Sequence, residues 1–73
     1  MIEIYDVVAI LEDMPEKNLR RGCVGTVIEI LAAGVFEVEF SDKRNELTYA
    51  IVALNESQLL KLYFELKGFP AEG

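Results

Sequence analysis

Polar and apolar positions alternate most cleanly between Val35 and Ser41. Phe36, Val38 and Phe40 fall on one side and Glu37, Glu39 and Ser41 on the other, the period-two signature of a half-buried strand. A slip of one residue would bury both glutamates, so the register is firmly set. Burying two phenylalanines and a valine contributes on the order of 1.5–3 kcal/mol each. Upstream, residues 23 to 31 are apolar on both alternating sets and read as a second, strongly coiled strand. Gly25 lies inside it, and a glycine in a strand interior marks a bulge or a bend where backbones approach closely. Ala32, Ala33 and Gly34 form the turn between the two strands, with Gly34 supplying the positive φ that hairpins demand. The segment Arg21 to Phe40 is thus a two-strand meander on which the rest of the chain assembles.

The remaining pattern supplies three more strands. Residues 4 to 11 are β-branched and apolar with one acid, a first strand partly buried on both faces. Residues 12 to 22 form a polar loop broken by Pro15 and turned by Asn18 and Gly22. Met14 and Leu19, the apolar members of that loop, are expected to fold back and close one end of the core. A charged turn at Asp42 to Asn45 precedes a fourth strand over residues 46 to 54, with Leu47, Tyr49 and Ile51 on one face. Asn55 to Gln58 carries capping chemistry for a helical turn.

The stretch that follows, Leu59 to Gly68, reads two ways. A helix would place Leu59, Leu62, Tyr63 and Leu66 on one stripe, with Gly68 as terminator. A strand over residues 60 to 64 would set Leu60, Leu62 and Phe64 on one face. Periodicity on its own slightly favours the helix. Short strands at a spacing of about ten residues, with turn signals between them, describe a small antiparallel barrel or sandwich. The best match is an all-β, five-stranded antiparallel SH3-like barrel with one short helical turn before the last strand. It forms a single domain over residues 1 to 67, followed by a frayed tail at 68 to 73.

Composition narrows the chemistry. A chain of 73 residues buries only about 60% of its unfolded surface, and Cys23 is its single cysteine in a sequence without histidine. That rules out an intramolecular disulfide and a Cys/His zinc site and fits a reducing, cytoplasmic setting. Dimerisation remains available as added support. No apolar run approaches the ~20 residues of a membrane span, and the acids of Met1 to Asp6 stand where an export signal would be basic. The formal net charge is −6, which disfavours a phosphate backbone as partner. Glu3, Asp6, Glu12, Asp13 and Glu16 precede every base, and Lys17, Arg20 and Arg21 follow at once. Such a distribution is either a loosely paired, solvated loop or a bipolar docking surface.

Three segments together carry a resemblance: VVAILEDMPEKNLRRGCVGTVIEIL, then FEVEFSD, then SQLLKL. They are similar to a bacterial family of small proteins known as a domain of unknown function. Its members read roughly as an apolar strand, "EDLPEKGLKRGDVGTV", "YEVEF", and a "QL" near the end. The likeness covers residues 5 to 62 and is most specific from Glu12 to Val27. It implies the SH3-like barrel, with the last strand near residue 60, and so favours strand over helix there. It supplies no activity. Pairing with other small proteins, of a toxin–antitoxin or immunity-like kind, is a further implication. Cys23 stands where the family often has an acid, and Tyr63, Phe64, Leu66 and Phe69 extend beyond its typical end. Gly22 to Val27 also resembles the glycine–valine motif of ribosomal and transcription-factor barrels that bind RNA or RNA polymerase. Those barrels are basic and this chain is acidic, so shared geometry accounts for the likeness.

No set of residues forms a recognisable catalytic machinery. Cys23 has no imidazole to pair with, and Ser41, Ser57 and Thr26 have no base in any motif. Arg20 and Arg21 lie near the thiol in sequence, but an inert cysteine at a strand edge is the simpler reading. There is no phosphate-cradling glycine loop. Glu37 and Glu39, with Glu29, are explained as a solvent face rather than an acid–base pair or a cation site. The expectation is therefore a non-enzymatic protein-interaction module without cofactor, metal or small-molecule substrate, and without a membrane. Its partner is another protein or a second copy. Leu19, Arg20 and Arg21 of the long loop are the candidate contacts, with Tyr63, Phe64 and Phe69, whose apolar surface exceeds what so small a core can cover. The alternative is a barrel that contacts RNA or a polymerase through the Arg20-Arg21-Gly22 edge.

Overall fold

The computed structural model describes residues 1–42 and 47–63. Five strands form one antiparallel sheet in the order β4-β3-β2-β1-β5. They are β1 (Val7–Ile10), β2 (Val24–Ala32), β3 (Val35–Ser41), β4 (Thr48–Asn55) and β5 (Leu59–Leu62). Short 3-10 turns at Pro15–Lys17 and Glu56–Gln58 are the helical elements among the described residues. None is long and apolar enough to cross a membrane. The chain is mainly β. The 3-10 turn before the last strand falls where the sequence predicts it.

The meander is the centre of the sheet. β2 and β3 turn at Ala33-Gly34, where Gly34 has φ 74°. Their register runs Thr26↔Glu39, Val27↔Val38, Glu29↔Glu37 and Ile30↔Phe36. It shifts at two places, between Val27 and Glu29 and between Ile30 and Ala32, and such bulges add the twist and bend a small curled sheet needs. Phe36, Val38 and Phe40 are all buried, as their alternation requires. At Gly25 an added Cβ would lie 2.7 Å from Val38 Cγ1, 2.8 Å from the Glu39 carbonyl oxygen and 2.8 Å from Phe40 Cε1. Only the missing side chain lets β2 approach β3 this closely.

β1 lies between β2 and β5, pairing Val7 with both Thr26 and Leu62 and Ala9 with both Val24 and Leu60. It starts at Val7 rather than at residue 4. A turn formed by the Asp6 N–H donating to the Glu3 carbonyl at 3.1 Å, with Tyr5 at φ 72°, breaks the apolar run before it. Ile2, ahead of that turn, tucks into the core. β4 likewise begins at Thr48 and continues to Asn55, two residues later than expected at its start and one at its end. The Asn55 N–H donates to Gln58 Oε1 at 2.8 Å, which stabilises the turn into β5. β5 begins at Leu59, whose side chain is buried, so Leu60 faces outward. Its strand reading holds for Leu59–Leu62. Phe64, Leu66, Gly68 and Phe69, the tail at 68 to 73 and the turn residues Lys43 to Asn45 lie outside the described residues.

Candidate interaction surfaces

The long loop is a closed unit built around two side chains. Met14 and Leu19 exchange backbone hydrogen bonds of 2.9 and 3.1 Å across the 3-10 turn. Asn18 takes the left-handed conformation at φ 59° to make the return possible. Both apolar side chains then point into the core. Leu19 is 1% exposed, so it cannot be a contact residue, and the candidate contact set loses it. A lone leucine in a polar loop reads equally as plug or as patch. Here it is the plug.

The rest of the loop is tied to the sheet on both sides. The Arg21 N–H donates to Asp13 Oδ1 at 2.8 Å, and the Gly22 N–H donates to the Ile10 carbonyl at 2.8 Å. Gln58 Nε2 donates to Glu12 Oε2 at 2.9 Å, linking the loop to the second 3-10 turn. An open depression of about 420 Å³ remains, lined by Asp13, Pro15, Asn18, Leu19 and Arg20. It has one acid and one base among its walls, and Arg20 and Arg21 are both exposed. Behind it, the Arg20 N–H points at Cys23 Sγ, 3.4 Å away, and Cys23 itself is half-buried against the core. Partial burial, with the Cys23 thiol beside it, pushes the Tyr49 hydroxyl above its ordinary pKa.

Tyr63 lies at the opposite end of β1. Gly22 bonds at Ile10, whereas Leu62, the neighbour of Tyr63, pairs with Val7. Three residues of strand separate these points by about 10 Å. Arg20 and Arg21 stand near one end of β1 and Tyr63 near the other. Around Tyr63 the dominant feature is a polar clasp. Lys61 Nζ lies 3.1 Å from Asp6 Oδ2, donates to the Met1 carbonyl at 3.0 Å and stands 5.1 Å from the Tyr63 ring centroid. The Glu3 N–H donates to the same Asp6 oxygen at 2.7 Å. That hydrogen bond, joined by Lys61, holds the Asp6 carboxyl below the usual range, while Asp6 raises the Lys61 ammonium.

A third surface was legible in the sequence only as a set of residues sharing a face. On β4 the buried row is Val52 and Leu54, with Ala50 half-buried, so Tyr49 and Ile51 look outward, 48% and 51% exposed. Ile51 sits opposite Glu39, which sits opposite Thr26, Val7 and Leu62 in turn, one outward row across all five strands. Beside it runs Leu60, Ala9 and Val24, with Leu60 51% and Val24 45% exposed. Glu39, in the first of these rows, takes a hydrogen bond from the Thr48 hydroxyl.

Sheet, loop and outer rows define a small all-β scaffold, with its ionisable groups at or near the surface among the described residues. The chain belongs to the family described as Domain of unknown function (DUF4926), whose match spans residues 4–61. No curated protein and no solved structure matches it. The matched span includes the whole closed loop and the second 3-10 turn and stops short of Tyr63.

Proposed function

We propose that this chain is a non-enzymatic protein-binding module, held in a small complex with another protein chain or with itself. The observation that supports it is the set of outward apolar residues: Val24 and Leu60 in one row, and Tyr49 and Ile51 on β4, are each close to half exposed on an ordered sheet whose core is filled by other residues. Exposed apolar surface of that kind is kept where a partner covers it. Arg20 and Arg21, exposed on a loop whose backbone is fixed, supply polar contacts at one end of the same scaffold. A small two-protein system, of the toxin–antitoxin or immunity-like sort, is the natural setting for such a module.

The test uses the full chain, tagged and expressed in its own cell type, against the outward substitution Leu60→Glu and the control Glu37→Gln. The expected result is a stoichiometric protein partner, or self-association in purified material, lost with at least one of the two outward substitutions, Leu60→Glu or Ile51→Glu, and kept with Glu37→Gln. The reading fails if the purified chain stays monomeric and nothing bound in the cell responds to either outward substitution. It also fails in favour of a nucleic-acid role if the chain is retained on RNA with an affinity that falls steeply with salt.

A further inference from the structure

The two edges of the sheet are built differently. β5 is four residues long and carries Lys61, which is engaged by Asp6 and the Met1 carbonyl. Short length and a lysine are ordinary protections of an exposed edge. β4 has neither. It runs eight residues, Thr-Tyr-Ala-Ile-Val-Ala-Leu-Asn, without a charge, a proline or a glycine. Among the described residues the strand order ends there, so every second residue directs its backbone N–H and C=O away from β3. A long, uncharged, apolar edge is a template for another strand.

The strand also matches itself. We propose that β4 is the seam of a homodimer, two copies pairing antiparallel about a two-fold axis at Ile51 and continuing the sheet from one chain into the next. This rests on the protein-binding reading and names its partner as a second copy. Antiparallel partners directly opposite each other share a face, so a two-fold axis normal to the sheet must pass midway between a residue and its own copy. With Ile51 on the axis, Tyr49 stands opposite Ala53 of the other copy and Ala50 opposite Val52. Each pairing sets a large side chain against a small one, with outward against outward and inward against inward. Isologous contacts of this kind are the commonest in homodimers.

Charge points the same way. Each copy carries −6 and so repels the other. The β4 strand contains no charge, and the outward carboxylates of β3, Glu37 and Glu39, would be three strand spacings from their counterparts. That is about 14 Å, beyond the ~8 Å screening length at physiological ionic strength. One strand and its outward side chains bury less than a standard interface, so a dissociation constant on the order of micromolar is expected. Affinity should rise by a few fold as salt is raised, because screening weakens the repulsion between the two copies.

Sedimentation velocity on the full chain, from low micromolar to millimolar concentration, is the first measurement. The expected result is a concentration-dependent dimer that Ile51→Lys weakens tenfold or more and Leu60→Lys leaves unchanged. The second measurement does not depend on how Ile51→Lys folds. In a Cys23→Ser background, Ile51→Cys places two thiols on the axis, where the ~4.5–5.5 Å separation of directly opposed strand residues lies within disulfide range. Rapid air oxidation to a covalent dimer is expected there and not with Leu60→Cys. A wild type that stays monomeric at millimolar concentration overturns the homodimer. So does a dimer indifferent to Ile51→Lys, or one that cross-links at Leu60 instead. A monomer whose capture of a different protein is abolished by Ile51→Lys would overturn the second copy as occupant and leave the binding-module reading standing.

Discussion

β3 and β4 lie side by side, paired from Val35↔Asn55 to Ser41↔Thr48, yet they use their apolar residues in different ways. β3 puts Phe36, Val38 and Phe40 inward and its glutamates outward. β4 has two apolar rows. Val52 and Leu54 meet Val38 and Phe36 in the core, while Tyr49 and Ile51 are left half in solvent. The core needs one row from each strand, and β3 supplies no more than that. β4 supplies a second row that the fold does not consume, on the strand that ends the sheet. Surplus of this sort, at an edge, is the structural basis for reading the chain as something that is held.

The comparison breaks first at Phe40. Its side chain is fully buried against the meander, and Phe40→Ala should cost about 3–5 kcal/mol. For a domain of this size each kcal/mol shifts the melting temperature by about 4–8 °C, so the midpoint should fall by more than about 12 °C, or the chain should fail to fold. Thermal unfolding followed by circular dichroism decides it. A loss near that of an exposed residue would mean the inward row of β3 is not the core.

The next test separates the two rows of β4. Leu54→Ala should cost about 2–5 kcal/mol, whereas Ile51→Ala, measured below the concentration at which copies associate, should stay within about 0.5 kcal/mol of wild type. Urea midpoints for the pair give the difference directly. Equal losses would show that both rows are structural and would remove the surplus from which the functional reading starts.

Gly25→Ala is smaller and has an unusual sign. Replacing glycine in a strand ordinarily helps, because alanine loses less conformational freedom on folding. Here the new Cβ would sit 2.7 to 2.8 Å from Val38, Phe40 and the Glu39 carbonyl oxygen, and the backbone atom cannot swing aside. A loss of about 1–3 kcal/mol is expected. A gain in the urea midpoint would show that β2 and β3 can part at this point without cost.

What the sequence disclosed follows the same division. β3 was readable because its glutamates mark the outward side. The closing role of Met14 and Leu19 was readable because they are the apolar residues of a polar loop. β4 was readable as a strand but not by face, since Tyr49 and Ile51 are as apolar as Val52 and Leu54, and only the register with β3 selects between them. The span and faces of β5 were hidden for the same reason, in a run of leucines. Arg20, Arg21 and Tyr63 stand out by their chemistry alone, and their placement along β1 was not legible. Their separation depends on pairing of β1 with both β2 and β5, between residues far apart in the chain. Tyr5 at φ 72° gave no signal at all, because an aromatic residue has no preference for that conformation.

The smallest expected effect lies at the other edge, where Asp6 and Lys61 hold the start of the chain against β5. The Glu3 N–H and the Lys61 ammonium keep the folded-state pKa of Asp6 below its ordinary value. A group depressed in this way contributes stability above its unfolded pKa, about 3.9, and loses that contribution as pH falls through the lower folded value. Lys61, raised by Asp6, contributes below the ordinary lysine value, about 10.4, and loses it as pH rises through its own raised value. The clasp is therefore at full strength across neutral pH. Asp6→Asn keeps an oxygen for the Glu3 N–H and removes the charge that Lys61 needs. Its urea midpoint should lie below wild type at pH 7, and the gap should narrow as pH falls below the unfolded value of about 3.9. A gap that is constant with pH would assign the effect to hydrogen-bond geometry rather than charge. The lysine on β5 would then no longer distinguish the protected edge from the open one.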